Sequence, residues 1–464
     1  MLLLDLVYLL VLLVMSPWLV WRSVVTGRYR RELAAKLLGR VSITNPQRKP
    51  VAWFHAVSVG EVNLLGTLVP AFRKRHPEYL IVVSSTTDTG LAEARRRFAD
   101  LSVVAFPFDF SWAVGSALDT VKPSVVVLTE SELWPNFLTA ARRRQIPVII
   151  VNARMSPRSF ARLQQFAGFA RRMLFAKITR FAVQEQEYAE RFAQLGLPQS
   201  KLIVTGSIKY DGASSGAPDR SRGLANSLGL VRPQEGESGR HGEWEKSKNN
   251  SVVLSPPLLV SPSPLLVLLA GSTHTPEESL ILAAFTRLRE RFPTLRLILV
   301  PRHPDRFEEV AGLVQASGLP FVRRSAIREP LTEMPAIVLL DTVGELGAAW
   351  GLADVGFTGG SLDGKRGGQS MIEPAGYGVP CVFGPHVWNF RDAARRLVDV
   401  GGAIMLKDAT ALEPELAKLL ADTELRERMG TAARELVYRQ QGATVRTLDA
   451  IDAILPATAL TRAA

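Results

Sequence analysis

A single cysteine, Cys381, in a chain of 464 residues excludes a disulfide framework within the molecule. It lies in the apolar run 379–383, so a buried structural thiol in a reducing compartment is expected rather than a nucleophile. The six histidines are scattered and none falls into a HExxH spacing. No two aspartates are separated by one residue, so the Asp-x-Asp device that holds a divalent ion on a nucleotide sugar is missing, and no metal is expected. Acidic residues are outnumbered, 44 against 56 Lys and Arg, for a net charge of +12. That balance suits nucleic acid, an anionic membrane or anionic substrates. Beyond residue 50 the basic residues spread along amphipathic helical patterns such as 92–98, without interleaved aromatics, which disfavours nucleic acid. At 47% hydrophobic and 22% charged residues the chain reads as an ordinary globular protein of about two or three domains.

Residues 1–21 are almost wholly apolar apart from Asp5, carry Trp18 and Trp21 at their far end, and are long enough to cross a bilayer. A basic segment, 22–50, follows with Arg22, Arg28, Arg30, Arg31 and Lys36 against the single acid Glu32. A cleaved signal peptide carries its positive charge before the apolar run, so this order predicts a single-pass N-terminal membrane anchor with the remainder cytoplasmic.

From residue 51 onward, short β-branched runs alternate with helical patterns, the mark of βαβ units and parallel sheets. Strands are expected at 51–55, 80–84, 124–128, 148–152 and 181–183, then at 265–270, 296–300, 336–340, 355–358 and 379–383. The expected fold class is therefore α/β with two doubly wound, Rossmann-like domains, 51–211 and 265–464. Between them, 212–264 is rich in Ser, Gly, Pro and Asn and reads as a linker with a disordered insertion. Four prolines within 252–269 argue against a second membrane span there.

Ligands of open α/β sheets sit at the carboxyl ends of strands, so the residues just past each strand matter most. After the first strand, HAVSVGEV places Glu61 at a helix start, either as a residue favoured by the helix dipole or as a general base. TESELWPNF sets Glu130 and Glu132 just past another strand, and NARMSPRSF supplies Asn152, Arg154 and Arg158. GSIKYD carries Lys209. In the second half PRHPDRF offers Pro301, Arg302 and His303, and DTVGELG offers Val343, Gly344 and Glu345 at a helix start. The segment 359–384, GGSLDGKRGGQSMIEPAGYGVPCVFG, is a glycine-dense loop running into a short helix with Glu373 in its first turn. Glycines admit a phosphate to backbone N–H groups, and a carboxylate can take ribose hydroxyls, so a nucleotide is the expected ligand.

These blocks, in this order and behind an N-terminal apolar segment, resemble 3-deoxy-D-manno-octulosonic acid (Kdo) transferases, glycosyltransferase family 30. The resemblance covers nearly the whole chain outside 212–264. It implies a GT-B fold, with two Rossmann-like domains facing a cleft, and metal-independent, inverting transfer of Kdo without a cofactor. The implied partners are CMP-Kdo as donor, a lipid A precursor (lipid IVA) as acceptor, and the inner membrane. The matching positions make Glu61 the general base and Glu130 and Lys209 stabilisers of the transition state. Pro301, Arg302, Val343, Gly344, Glu345, Ser370, Met371, Ile372 and Glu373 fall in the CMP-binding segments.

The chain departs from the family where GGHNPLE is commonly found: here Gly367 to Glu373 read GGQSMIE. Gln369 and Ser370 keep hydrogen-bonding capacity, while Met371 replaces a stiff first-turn proline. Another GT-B enzyme using a UDP-sugar, and a catalytically silent lipid A-binding protein, are the alternatives.

Overall fold

A computed structural model describes residues 2–26, 32–130, 132–213, 218–230 and 265–456. The chain divides into two compact units, Met1–Gly212 with Gln440–Ala464, and Ala213–Arg439. The first opens with helices α1 (Leu2–Thr26) and α2 (Leu33–Leu38). It then alternates through β1 (Val51–Ala56), α3 (Val59–Arg75), β2 (Leu80–Ser85), α4 (Asp88–Arg97), β3 (Ser102–Ala105), α5 (Ser111–Val121) and β4 (Val125–Thr129). There follow α6 (Pro135–Arg143), β5 (Val148–Ala153), α7 (Pro157–Gln164), α8 (Ala167–Met173), β6 (Arg180–Val183), α9 (Gln186–Gln194) and β7 (Leu202–Val204).

All seven strands are parallel, in the order β3-β2-β1-β4-β5-β6-β7. Central strands covered on both faces need apolar residues at every position rather than alternation. VAWFHA, VVVLT and VIIVNA come close to that need, with His55, Thr129 and Asn152 as buried polar exceptions near the carboxyl ends, and β1, β4 and β5 are buried throughout. Neighbouring side chains point to opposite faces, so Trp53 joins Phe106 and Phe137 on one side while Phe54 packs with Leu65 and Phe72 on the other. The Trp53 indole N–H is satisfied by Ser84 Oγ at 2.8 Å.

The second unit holds α10 (Pro218–Ser227), β8 (Leu266–Thr273), α11 (Glu277–Arg291), β9 (Leu295–Pro301), α12 (Phe307–Ala316), β10 (Phe321–Arg323) and β11 (Ile337–Leu339). It continues with α13 (Leu346–Trp350), β12 (Val355–Thr358), α14 (Ile372–Tyr377), β13 (Cys381–Phe383), α15 (Arg391–Asp399), β14 (Ala403–Met405), α16 (Leu412–Ala421) and α17 (Thr423–Gln440). Its sheet is again parallel, ordered β10-β11-β9-β8-β12-β13-β14.

Two expectations need correction. The linker expected over 212–264 contains α10, which seats Leu224, Leu228 and Leu230 in the core of the second unit; 231–264 lies outside the described residues. The last helix, α18 (Ala443–Asp452), was expected in the second domain but belongs to the first unit. There Leu448, Ile451 and the following Leu455 join Phe54, Leu65 and Phe72, and Asp211 accepts from the N–H groups of Gly442 and Thr444 at the start of α18. Among the described residues no helix is long and apolar enough to cross a membrane.

Candidate functional site

In the first sheet the chain winds outward in both directions from β1 and β4, which leaves a crevice beyond their carboxyl ends. The two acids singled out from the sequence follow these two strands. Glu61 lies in the first turn of α3, whose N-cap residue is Ser58. Its carboxylate accepts from Val57 N–H at 2.9 Å, Ser58 Oγ at 3.1 Å and Thr129 Oγ at 2.7 Å. The helix-start role is thus real, yet the third donor comes from the end of β4 and fixes the carboxylate toward that strand. Burial pushes the Glu61 carboxyl above the ordinary carboxylate range, against the pull of the Thr129 and Val57 hydrogen bonds.

Glu130 stands at the end of β4 with φ 54°, a left-handed backbone that a non-glycine residue adopts at a cost of about 1–2 kcal/mol. This conformation turns its carboxylate to Arg154 Nη2 at 2.9 Å and Lys209 Nζ at 3.4 Å. Lys209 arrives from beyond edge strand β7 because Asn152, itself at φ 55° on β5, accepts from Ile208 N–H at 3.2 Å. Two cations therefore converge on one half-buried acid. Glu132, two residues further on, is pushed up to about 7 by burial and then by the negative charge of Glu61.

The second sheet reverses direction between β8 and β12, and the glycine-rich loop starts at the carboxyl end of β12. It is held by a residue that the sequence reading passed over. Glu277, in the first turn of α11 and 1% exposed, accepts from four backbone N–H groups: His274 at 3.0 Å, Gly360 at 2.7 Å, Ser361 at 2.9 Å and Leu362 at 3.1 Å. Each oxygen receives two donors, and these four bonds favour the ionised form against the burial that pushes the carboxyl upward. The loop passes so close that a Cβ on Gly359 would lie 2.5 Å from Ser272 O, so glycine is required there. An acidic pair opening a helix, Glu277-Glu278, was the available signal, and it reads equally well as ordinary helix-start chemistry.

The expected nucleotide residues divide into groups. Arg302 is exposed just past β9, and its charge opposes the burial that pushes the Glu373 carboxyl upward. Pro301 ends β9 and is buried. His274 sits beside the same cations; burial and then Arg366 lower it to about 4, so it is neutral at physiological pH. Gly344 has φ 94° and Val343 is 75% exposed, consistent with an open loop. Glu345 is held by Arg324 Nη2 at 3.0 Å and by Thr342 Oγ. Ser370 is half-buried, but Met371 and Ile372 are 0% and 2% exposed, so their side chains belong to the core and only their backbone can face a ligand. Among the described residues no cluster of three metal-ligating side chains occurs.

Residues 32–212 match a family model described as 3-deoxy-D-manno-octulosonic-acid transferase (kdotransferase). The 3-deoxy-D-manno-octulosonic acid transferase of Bordetella pertussis is 35% identical, over 96% of this chain and 98% of that protein. The enzyme of the same name from Haemophilus influenzae is 33% identical over 92% of each. A UDP-GlcNAc 2-epimerase from Neisseria meningitidis superposes at TM-score 0.53 with 12% identity, covering 87% of this chain and 99% of that one. A Rickettsia africae glycosyltransferase gives 0.51 with 10% identity, covering 88% and 100%. These two likenesses extend to the fold alone, and the fold is that of the GT-B class. Identity of a third across nearly the full length of both relatives is a different order of similarity, and by it the chain belongs to the 3-deoxy-D-manno-octulosonic acid transferase family.

Proposed function

We propose that this protein transfers Kdo from CMP-Kdo to lipid IVA by an inverting, metal-independent displacement at the cytoplasmic face of the inner membrane. The observation that supports this reading most is the carboxylate of Glu61, fixed by three donors at the β1/β4 crevice, in a chain of this family. Glu61 takes the proton from the acceptor hydroxyl as its oxygen attacks the anomeric carbon. The bond from that carbon to the CMP phosphate breaks, and the electron pair leaves with the phosphate. Lys209 and Arg154, gathered on Glu130, provide a charge environment suited to an oxocarbenium-like state with an anionic sugar. In the second unit, Arg302 and the loop N–H groups would meet charge on the departing CMP, and Glu373 would take the ribose hydroxyls.

Calorimetry of the full-length protein with CMP and UDP tests the donor class, and mass spectrometry of a lipid IVA reaction tests the transfer. CMP should bind, and the lipid should gain the mass of Kdo. Binding of UDP with none of CMP would overturn the reading.

A further inference from the structure

Helix α5 begins without a capping side chain of its own, because its N-cap residue is Phe110. Asp5 of α1 takes that role. It is 3% exposed and accepts from Ser111 N–H at 2.9 Å, from Ser111 Oγ, and from Asn136 Nδ2 at 2.9 Å. One turn later Tyr8 donates to Asp109 Oδ2 at 3.1 Å, and Asp109 in turn accepts from the N–H groups of Asn136 and Phe137 at the start of α6. The chain after α1 returns to the same helix. Trp112 Nε1 donates to Leu37 O at 2.9 Å, and Gly39, closing α2, lies so near Ala113 that a Cβ there would stand 1.8 Å from its carbonyl oxygen. Buried Lys36 reaches Asp88 at 3.1 Å.

The segment containing α1 therefore leaves from Ser111 and comes back to Trp112. About 32 Å of helix separates Asp5 from Thr26, roughly the thickness of a hydrocarbon core. The chain from Thr26 to Glu32 reaches at most about 22 Å. With Asp5 docked, α1 cannot carry its far end across a bilayer and still deliver α2 to α5. Residues 9–15 are nonetheless apolar and exposed on every side, with Val14 at 70%. A helix without a polar face is suited to hydrocarbon rather than to water. Trp18 and Trp21 follow, both exposed, and the sequence then turns basic with Arg22, Arg28, Arg30 and Arg31. Past β5, the strand beside β4, α7 and α8 expose Phe166 and Phe169 among Arg158, Arg162, Arg171 and Arg172. Aromatics beside arginines fit the headgroup level of an anionic leaflet.

We infer that α1 does not span the membrane but dips into a single anionic leaflet, entering and leaving on the side where the body of the protein lies. This deepens the membrane attachment proposed above and rests on it; CMP calorimetry on the same protein reports separately whether the transferase reading fails. Two measurements on the full chain test the inference. A protease-cleavable epitope placed ahead of Met1 should be cut in inverted inner-membrane vesicles and spared in spheroplasts; cutting in spheroplasts overturns it. A spin label on Leu10→Cys, with native Cys381 buried, should collide with oxygen and be shielded from a water-soluble nickel chelate. That shielding should require vesicles of phosphatidylethanolamine with phosphatidylglycerol. A label open to the chelate, or shielded without lipid by a second copy, overturns the lipid as occupant.

Discussion

Glu277 receives four backbone N–H groups, three of them from the glycine-rich loop more than 80 positions away. Such a bond set leaves no trace in local sequence, which is why this residue was not legible although Glu61 and Glu130 were: those two are betrayed by lying just past strands. Gln at 277 keeps the shape but offers an N–H to two of the donors, leaving buried N–H groups unpaired at about 1–3 kcal/mol each. Glu277→Gln should therefore lower the urea stability of the protein by about 2–4 kcal/mol and weaken CMP binding. Unchanged CMP affinity would show that the loop does not carry the nucleotide. Glu132 gives a second residue-scale expectation. Glu61 must be ionised to accept a proton, so transfer should fail as pH falls through a carboxylate range raised by burial. Burial and the charge of Glu61 raise Glu132 to about 7, so it is already neutral where Glu61 titrates, and Glu132→Gln should leave the acid limb of the kcat/KM profile in place. A limb that moves with this substitution would contradict that order of titration.

At the scale of elements, each of the ten strands expected from apolar runs corresponds to an observed one, while β3, β7, β10 and β14 were not foreseen. These four are the edges of the two sheets. An edge strand is half-covered and needs no continuous apolar run; β10 has no fully buried residue and β7 ends at exposed Val204. The placement of α18 escaped for a related reason, since its amphipathic pattern states that a face is buried but not against which sheet. Burying Leu448, Ile451 and Leu455 contributes about 1.5–3 kcal/mol each, comparable in sum to the whole stability of a domain. A protein truncated before Ala443 is accordingly expected to lose cooperative thermal unfolding of the first unit. Preserved unfolding would mean that α18 is dispensable to that core.

For the molecule as a whole, the sequence pattern specified two parallel α/β sheets, and the order of motif blocks specified the family, because loops after strands are where both ligands and motifs lie. Hydropathy registers the N-terminal run of leucines and valines but not that Asp5 is tied to Ser111, so the docking of α1 on the start of α5 was not legible in the sequence. Glu61 is the proposed base, and Glu61→Gln tests that role most directly. Gln retains an acceptor for Val57 N–H, so the start of α3 should persist while proton acceptance is lost. Single-turnover Kdo transfer to lipid IVA should fall by about 100- to 10,000-fold, with calorimetric CMP affinity within a few-fold of the parent protein. Transfer at the parent rate, or a matching loss of CMP binding and thermal stability, would contradict the assignment.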